Sequence, residues 1–145
     1  MKKSLLLKLT FVLTLIFTGC SNDDDNNSTT SIVGKWRTEK FDYYTDNQFD
    51  NTEITVEENS TCPDYIEFKT NGNYESIDKD VDCVTSVDES GTYTFNGTTL
   101  TNNSNGSITT GTVTYLTTTD LKIEFIETSL GGTIFKNVGY FKKIN

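Results

Sequence analysis

The side chains available for chemistry are carboxylates, three thiols and many aromatics, with no histidine anywhere in the 145 residues. Without an imidazole the commonest general base is missing. Neither a Gly-x-Ser-x-Gly elbow nor a phosphate-cradling glycine loop occurs. Glu67 and Glu124 are the candidates for the paired carboxylates of glycoside hydrolysis. Each sits between apolar neighbours, Ile66 and Phe68 in one case and Ile123 and Phe125 in the other. On a strand such residues face solvent, where a charge serves solubility. No catalytic set assembles from the sequence, so a non-enzymatic protein without a cofactor is expected.

Asp78, Asp80 and Asp82 stand at positions 1, 3 and 5 of a calcium-type loop, and Glu89 falls at position 12. Hard cations want such an oxygen-rich set. Cys83, however, occupies the position where that loop requires glycine, and no helical pattern flanks it. The four acids are therefore read as a solvated hairpin loop, with a cation site as the weaker alternative.

The aromatics are the third resource. Trp36, Phe68, Tyr74, Tyr93, Phe95, Tyr115 and Phe125 fall mainly on the apolar phase of their segments. Two readings stay open. Such side chains fill the interior of a small β domain, or they line a ligand cavity in which a tyrosine hydroxyl finds a partner.

The elements that must position these residues are strands. From Ile32 onward apolar residues alternate with a period of two and helical spacing is absent. Ile66 and Phe68, Tyr93 and Phe95, Val113 and Tyr115, and Leu121, Ile123 and Phe125 carry that alternation. Asn-Gly pairs at Asn71-Gly72, Asn96-Gly97 and Asn105-Gly106 suit tight type I′ hairpins, and Gly131-Gly132 offers a fourth turn. Strands are expected over Ile32–Tyr44, Asp64–Lys69, Asn73–Asp78, Gly91–Phe95, Thr98–Asn102, Thr110–Leu116, Asp120–Glu127 and Thr133–Lys143, with a weaker one over Thr52–Val56. Eight or nine antiparallel strands in one all-β domain, 32–145, leave a closed up-and-down barrel or a two-sheet β-sandwich.

Ahead of the domain, Lys2 and Lys3 precede a mostly apolar run from Leu5 to Phe17, then Thr18-Gly19-Cys20. That run is shorter than the roughly 20 residues of a membrane span, so 1–19 reads as a removable signal peptide. Small residues before a cysteine resemble the lipobox of bacterial lipoproteins, although Phe17 stands where that family usually has Leu. The resemblance implies cleavage before Cys20, lipidation of its thiol with acylation of the new amine, and a membrane partner reached through the lipid. Residues 21–31 contain no apolar side chain and follow as an acidic tether. A flexible coil of that length spans about 18 Å.

Removing Lys2, Lys3 and Lys8 with the leader takes the formal charge from −9 to −12. So acidic a surface repels phosphate backbones, which argues against a nucleic-acid partner. With Cys20 set aside as the lipidated thiol, Cys62 and Cys83 remain. An even remainder outside the cytoplasm points to a disulfide, the alternative being two buried free thiols.

Gly34-Lys35-Trp36 opens the first strand of the domain, and Gly-x-Trp in that place resembles the lipocalins. The succession that follows is similar to the lipocalin-like domains of lipoproteins from Gram-negative bacteria. It runs through Cys62, Ile66-Glu67-Phe68, Asn71-Gly72-Asn73-Tyr74, Cys83, Gly91-Thr92-Tyr93-Thr94-Phe95 and Tyr140-Phe141-Lys142. The later signature motifs of eukaryotic lipocalins are absent. The resemblance implies an up-and-down barrel and non-catalytic binding of a small apolar or amphipathic ligand. It places the protein on the cell envelope, on the outer membrane and facing the periplasm or the surface. The rival expectation is an interaction or scaffold module with a filled core; the sequence names no protein partner. The lipidation expectation has a direct test. Cys20→Ser is expected to abolish palmitate labelling and to release the protein from the membrane fraction, and a variant that still labels refutes it.

Overall fold

A computed structural model describes residues 30–55 and 61–145. The expectations for the leader, for Cys20 and for residues 21–29 lie outside the described residues. Nine strands form: β1 (Gly34–Thr45), β2 (Gln48–Ile54), β3 (Tyr65–Phe68), β4 (Asn73–Lys79), β5 (Thr85–Phe95), β6 (Thr99–Ser104), β7 (Ser107–Leu116), β8 (Asp120–Thr128) and β9 (Ile134–Ile144). Consecutive strands pair antiparallel from β3 to β9, and β1 pairs with both β3 and β9, so eight strands close a barrel. β2 is the ninth. It pairs with the later half of β1, on the edge whose earlier half pairs with β3. The barrel, not the sandwich, is the architecture.

The two ends of the barrel differ. Trp36, Phe68, Tyr74, Leu100, Leu121, Ile123 and Phe141 pack into one cluster with Ile32 and Val113. All of them lie toward the end where β3–β4, β5–β6 and β7–β8 turn and where β1 begins. Ile32 crosses that end, and its carbonyl accepts a 2.7 Å hydrogen bond from Trp36 Nε1. Lys143 Nζ donates to the Val33 carbonyl at 2.8 Å and stands 5.1 Å from the Trp36 ring centroid. Gly34 lies at φ +133°, and a Cβ there would meet the Lys143 side chain. Gly-x-Trp is thus a cap: glycine turns the chain, and tryptophan is covered by it.

At the other end the inner face is uncovered. Asn102 lines the interior and faces Thr109, and Phe125 and Glu127 face Asn137 and Phe135. Paired residues share a face of the sheet, yet Thr109 and Glu127 are exposed and Phe135 is 44 % exposed.

Turn chemistry follows the sequence in part. Asn105 and Gly106 both take positive φ, 51° and 88°, as a type I′ hairpin needs. At Asn71-Gly72 and Asn96-Gly97 only the glycine does. A further tight turn, Asp46-Asn47 at φ 48° and 64°, joins β1 to β2. It lacks glycine, but Asp and Asn tolerate this region because their short side chains bond locally. Asp46 also ties the turn to β9, its carboxylate accepting from Ile134 N at 2.9 Å. β5 begins at Thr85 and not at Gly91. Its first half, Thr85–Ser90, is exposed throughout and shows no apolar alternation to read.

Cys62 and Cys83 form a disulfide with Cα atoms 5.6 Å apart. Closing a loop of 21 residues stabilises the fold by about 3 kcal/mol in the chain-entropy model. Peptide mapping without reduction is expected to recover the Cys62 and Cys83 peptides joined. Replacing both cysteines with serine is expected to lower the unfolding free energy by about that amount, read from urea titration; free thiols at both sites refute the pairing.

Candidate functional site

Six of the seven singled-out aromatics face the interior, and they pack rather than enclose space. Trp36, Phe68 and Tyr74 are buried, and Tyr93, Phe95 and Phe125 pack partly buried against them. Phe68 and Tyr93 meet edge-on with ring centroids 4.9 Å apart. The void among Trp36, Ile66, Phe68, Asn102, Phe125 and Phe141 measures about 40 Å³, the volume of about one water molecule. A drug-sized ligand needs roughly 300–1,000 Å³. Asn102 Oδ1 is buried there without a hydrogen-bond partner. The tyrosine hydroxyls are already satisfied: Tyr74 donates to Glu89 at 2.8 Å and Tyr93 to the Lys69 carbonyl at 2.9 Å. Burial, with the Glu89 bond added, pushes the Tyr74 hydroxyl up to about 12.

Tyr115 lies on the outer face and is 56 % exposed. Alternation from Val113 sends it inward, but the β7–β8 register shifts between Val113 and Tyr115. The extra residue, Thr114, turns Tyr115 outward and Leu116 inward, opposite Leu121.

The acids of the 78–89 segment do not converge. Asp80 accepts from the backbone N–H groups of Asp82 and Val84 at 3.0 and 2.9 Å, closing its own turn. Glu89 is engaged by Tyr74 in β5. Asp78 is held above the usual carboxylate range by burial and then by repulsion from Asp88 and Asp64. Among the described residues no group of three or more acids and thiols is placed to hold a metal ion. Cys83 itself does take the left-handed conformation that argued for glycine, at φ 61°. The fold makes the turn and spends the Asp80 carboxylate on it.

A groove that the sequence did not announce lies on the outer wall across β1, β2, β7, β8 and β9, with a volume of about 580 Å³. Tyr140 is at its centre. The Lys40 ammonium stands 4.2 Å from the Tyr140 ring centroid and that of Lys122 5.3 Å. Beside the groove Asp42 is the one buried charged residue among those described, 6 % exposed. Lys40 Nζ reaches both Asp42 oxygens at 3.0 Å and Thr52 donates at 2.7 Å. Burial raises the Asp42 carboxyl, but the hydrogen bonds from Thr52, Lys40 and Tyr140 outweigh it and hold it below its ordinary value. Burial and the same carboxylate push the Tyr140 hydroxyl up to about 12.

The family model of the lipocalin-like domain matches residues 32–123, and the chain belongs to that family. The match takes in the Gly-x-Trp cap and the strands as far as the middle of β8. A solved structure of the bovine odorant binding protein, in complex with a selenium-containing odorant, is similar at 18 % identity. It covers 81 % of this chain and 73 % of its own, with a TM-score of 0.41. No curated protein matches the sequence.

Asp42 gives a pH signature. A carboxyl lowered in the folded state contributes stability above its unfolded value of about 3.9, and that contribution is lost as the pH falls through the lower folded value. Urea unfolding from about pH 7 down to about pH 3 is expected to show this loss, and Asp42→Asn to flatten it. Tyr140→Phe takes away one of the groups that hold the Asp42 carboxyl down and is expected to make that loss of stability set in at a higher pH.

Proposed function

We propose that this protein is a lipid-anchored lipoprotein of the bacterial envelope, held through Cys20, whose barrel binds a small apolar or amphipathic ligand without catalysis. Membership of the lipocalin-like family supports small-ligand binding, and the leader ending in Thr18-Gly19-Cys20 supports the anchor. The observation that carries the binding reading is the uneven filling of the barrel. One half is plugged by the Trp36 cluster, while the other keeps inner-face residues such as Phe135 uncovered, with partly buried Phe41 and Phe125 below them. The ligand then sits above the plug, between Phe125 and the barrel mouth, and is not enclosed by Trp36 and Phe68.

The 40 Å³ void favours one competing reading, a scaffold with a filled core that works through its surface. The two readings part on a single titration. The neutral dye N-phenyl-1-naphthylamine is expected to bind saturably and to be displaced by fatty acids. Phe135→Asp, at an already exposed position, is expected to weaken the dye about tenfold, or about 1.4 kcal/mol, with the thermal midpoint unchanged. No saturable binding, or binding indifferent to Phe135→Asp, supports the scaffold.

A further inference from the structure

We propose that the outer groove over Tyr140 is a second binding site, one that takes a monoanionic amphiphile such as a free medium-chain fatty acid. The argument begins with register. Tyr115 pairs with Lys122, Lys122 with Tyr140, Tyr140 with Lys40, and Lys40 with Ile54. Directly opposed residues share a face, so these five side chains form one continuous row across five strands on the outside of the barrel.

Two separate irregularities build that row. Without the shift between Thr38 and Lys40, Lys40 would follow Trp36 and Thr38 onto the inner face. Without the shift between Val113 and Tyr115, Tyr115 would follow Val113 inward. Each bulge disrupts its ladder and re-aims one side chain, and both deliver that side chain to the same row. The result is a floor of Tyr140 with its two lysines, and apolar banks at Ile54 and Tyr115, 68 % and 56 % exposed. Its volume of about 580 Å³ is that of a small-molecule site.

Charge selects the occupant. Lys40 is spent on Asp42, and the carboxylates lining the groove are spent too, Glu39 on Arg37 and Asp120 on Lys142. Lys122 has no ion-pair partner among the described residues and meets only the Tyr140 ring. Among the charged side chains that line the groove, the Lys122 ammonium alone lacks an ion-pair partner, and it lies beside an apolar surface. A single anionic head paired with Lys122, its chain lying over Tyr140 toward Ile54 or Tyr115, satisfies both.

Octanoate, octanol and octylamine, titrated into the full chain and followed by protein NMR shifts, test the site apart from the barrel mouth. Octanoate is expected to bind at least tenfold more tightly than octanol or octylamine, with shifts centred on Lys122, Tyr140 and Tyr115. Lys122→Gln is expected to weaken octanoate about tenfold and leave octanol unchanged, and Lys122→Arg to restore it. Read at these groove residues, Tyr115→Ser is expected to weaken both, and Phe135→Asp neither. Octanol binding as tightly as octanoate, or octanoate indifferent to Lys122→Gln, overturns the proposal. So does loss of the octanoate shifts at Lys122, Tyr140 and Tyr115 with Phe135→Asp, which would put those shifts down to the mouth. Because Lys122 and Tyr115 line the outer surface, unchanged thermal midpoints are expected to confirm folded variants.

Discussion

The bond from the Trp36 indole to the Ile32 carbonyl, 2.7 Å long and fully buried, fixes the chain across one end of the barrel. An indole N–H so deeply buried must find an acceptor, and here the acceptor comes from the segment that forms the lid. Gly34 permits the reversal and leaves room for Lys143, which reaches over the ring to the Val33 carbonyl. With that end closed, the largest side chains of β3, β4, β6 and β8 have a wall to pack against. The core gathers there, and the opposite half of the barrel is left to polar and exposed residues.

Charge is distributed as unevenly as packing. Of the nine cationic side chains after Cys20, Lys35, Arg37 and Lys40 lie on β1, Lys122 on β8, and Lys136, Lys142 and Lys143 on β9. Only Lys69 and Lys79 lie elsewhere. β6 and β7 carry no charge at all. A protein that is strongly acidic as a whole thus has one wall on which acids and bases balance. Tyrosine rings take up pairs of ammonium groups: on that wall Lys40 and Lys122 share Tyr140, and next to it Lys35 and Lys79 share Tyr65 of β3. Each such contact is worth about 0.5–1 kcal/mol at exposed positions.

The strands and their antiparallel direction were legible because alternation and Asn-Gly punctuation are local signals, while the choice of barrel over sandwich came only with the resemblance to lipocalin-like domains. The outward facing of Glu67 and Glu124 was legible for the same reason. Alternation fails where a strand carries an extra residue. Nothing in Val113-Thr114-Tyr115 announces a bulge, so Tyr115 reads inward on pattern and lies outward in the fold. The Asp46-Asn47 turn escapes because neither residue is glycine. The outer groove was illegible for a deeper reason. Its row joins residues from Lys40 to Tyr140 through four strand registers, and register is a property of the closed sheet. The aromatic set shows the converse. The sequence marks these residues as interior, but whether an interior is filled or hollow depends on a few tens of cubic ångströms of packing.

The pairing of β1 with β9 also governs when the barrel comes into being. The Lys143 ammonium and the Val33 carbonyl that it caps are 110 residues apart in sequence. A chain emerging from its amino end holds β1 early, with hydrogen-bonding groups unmet along the edge that β9 will occupy. Successive hairpins add to the sheet, but none can cover that edge. Closure waits for the last eleven-residue strand, and its loop entropy is recovered only then. Synthesis therefore has to run through β9 before the barrel can close. Until then the open edge of β1 can pair with a strand of another chain.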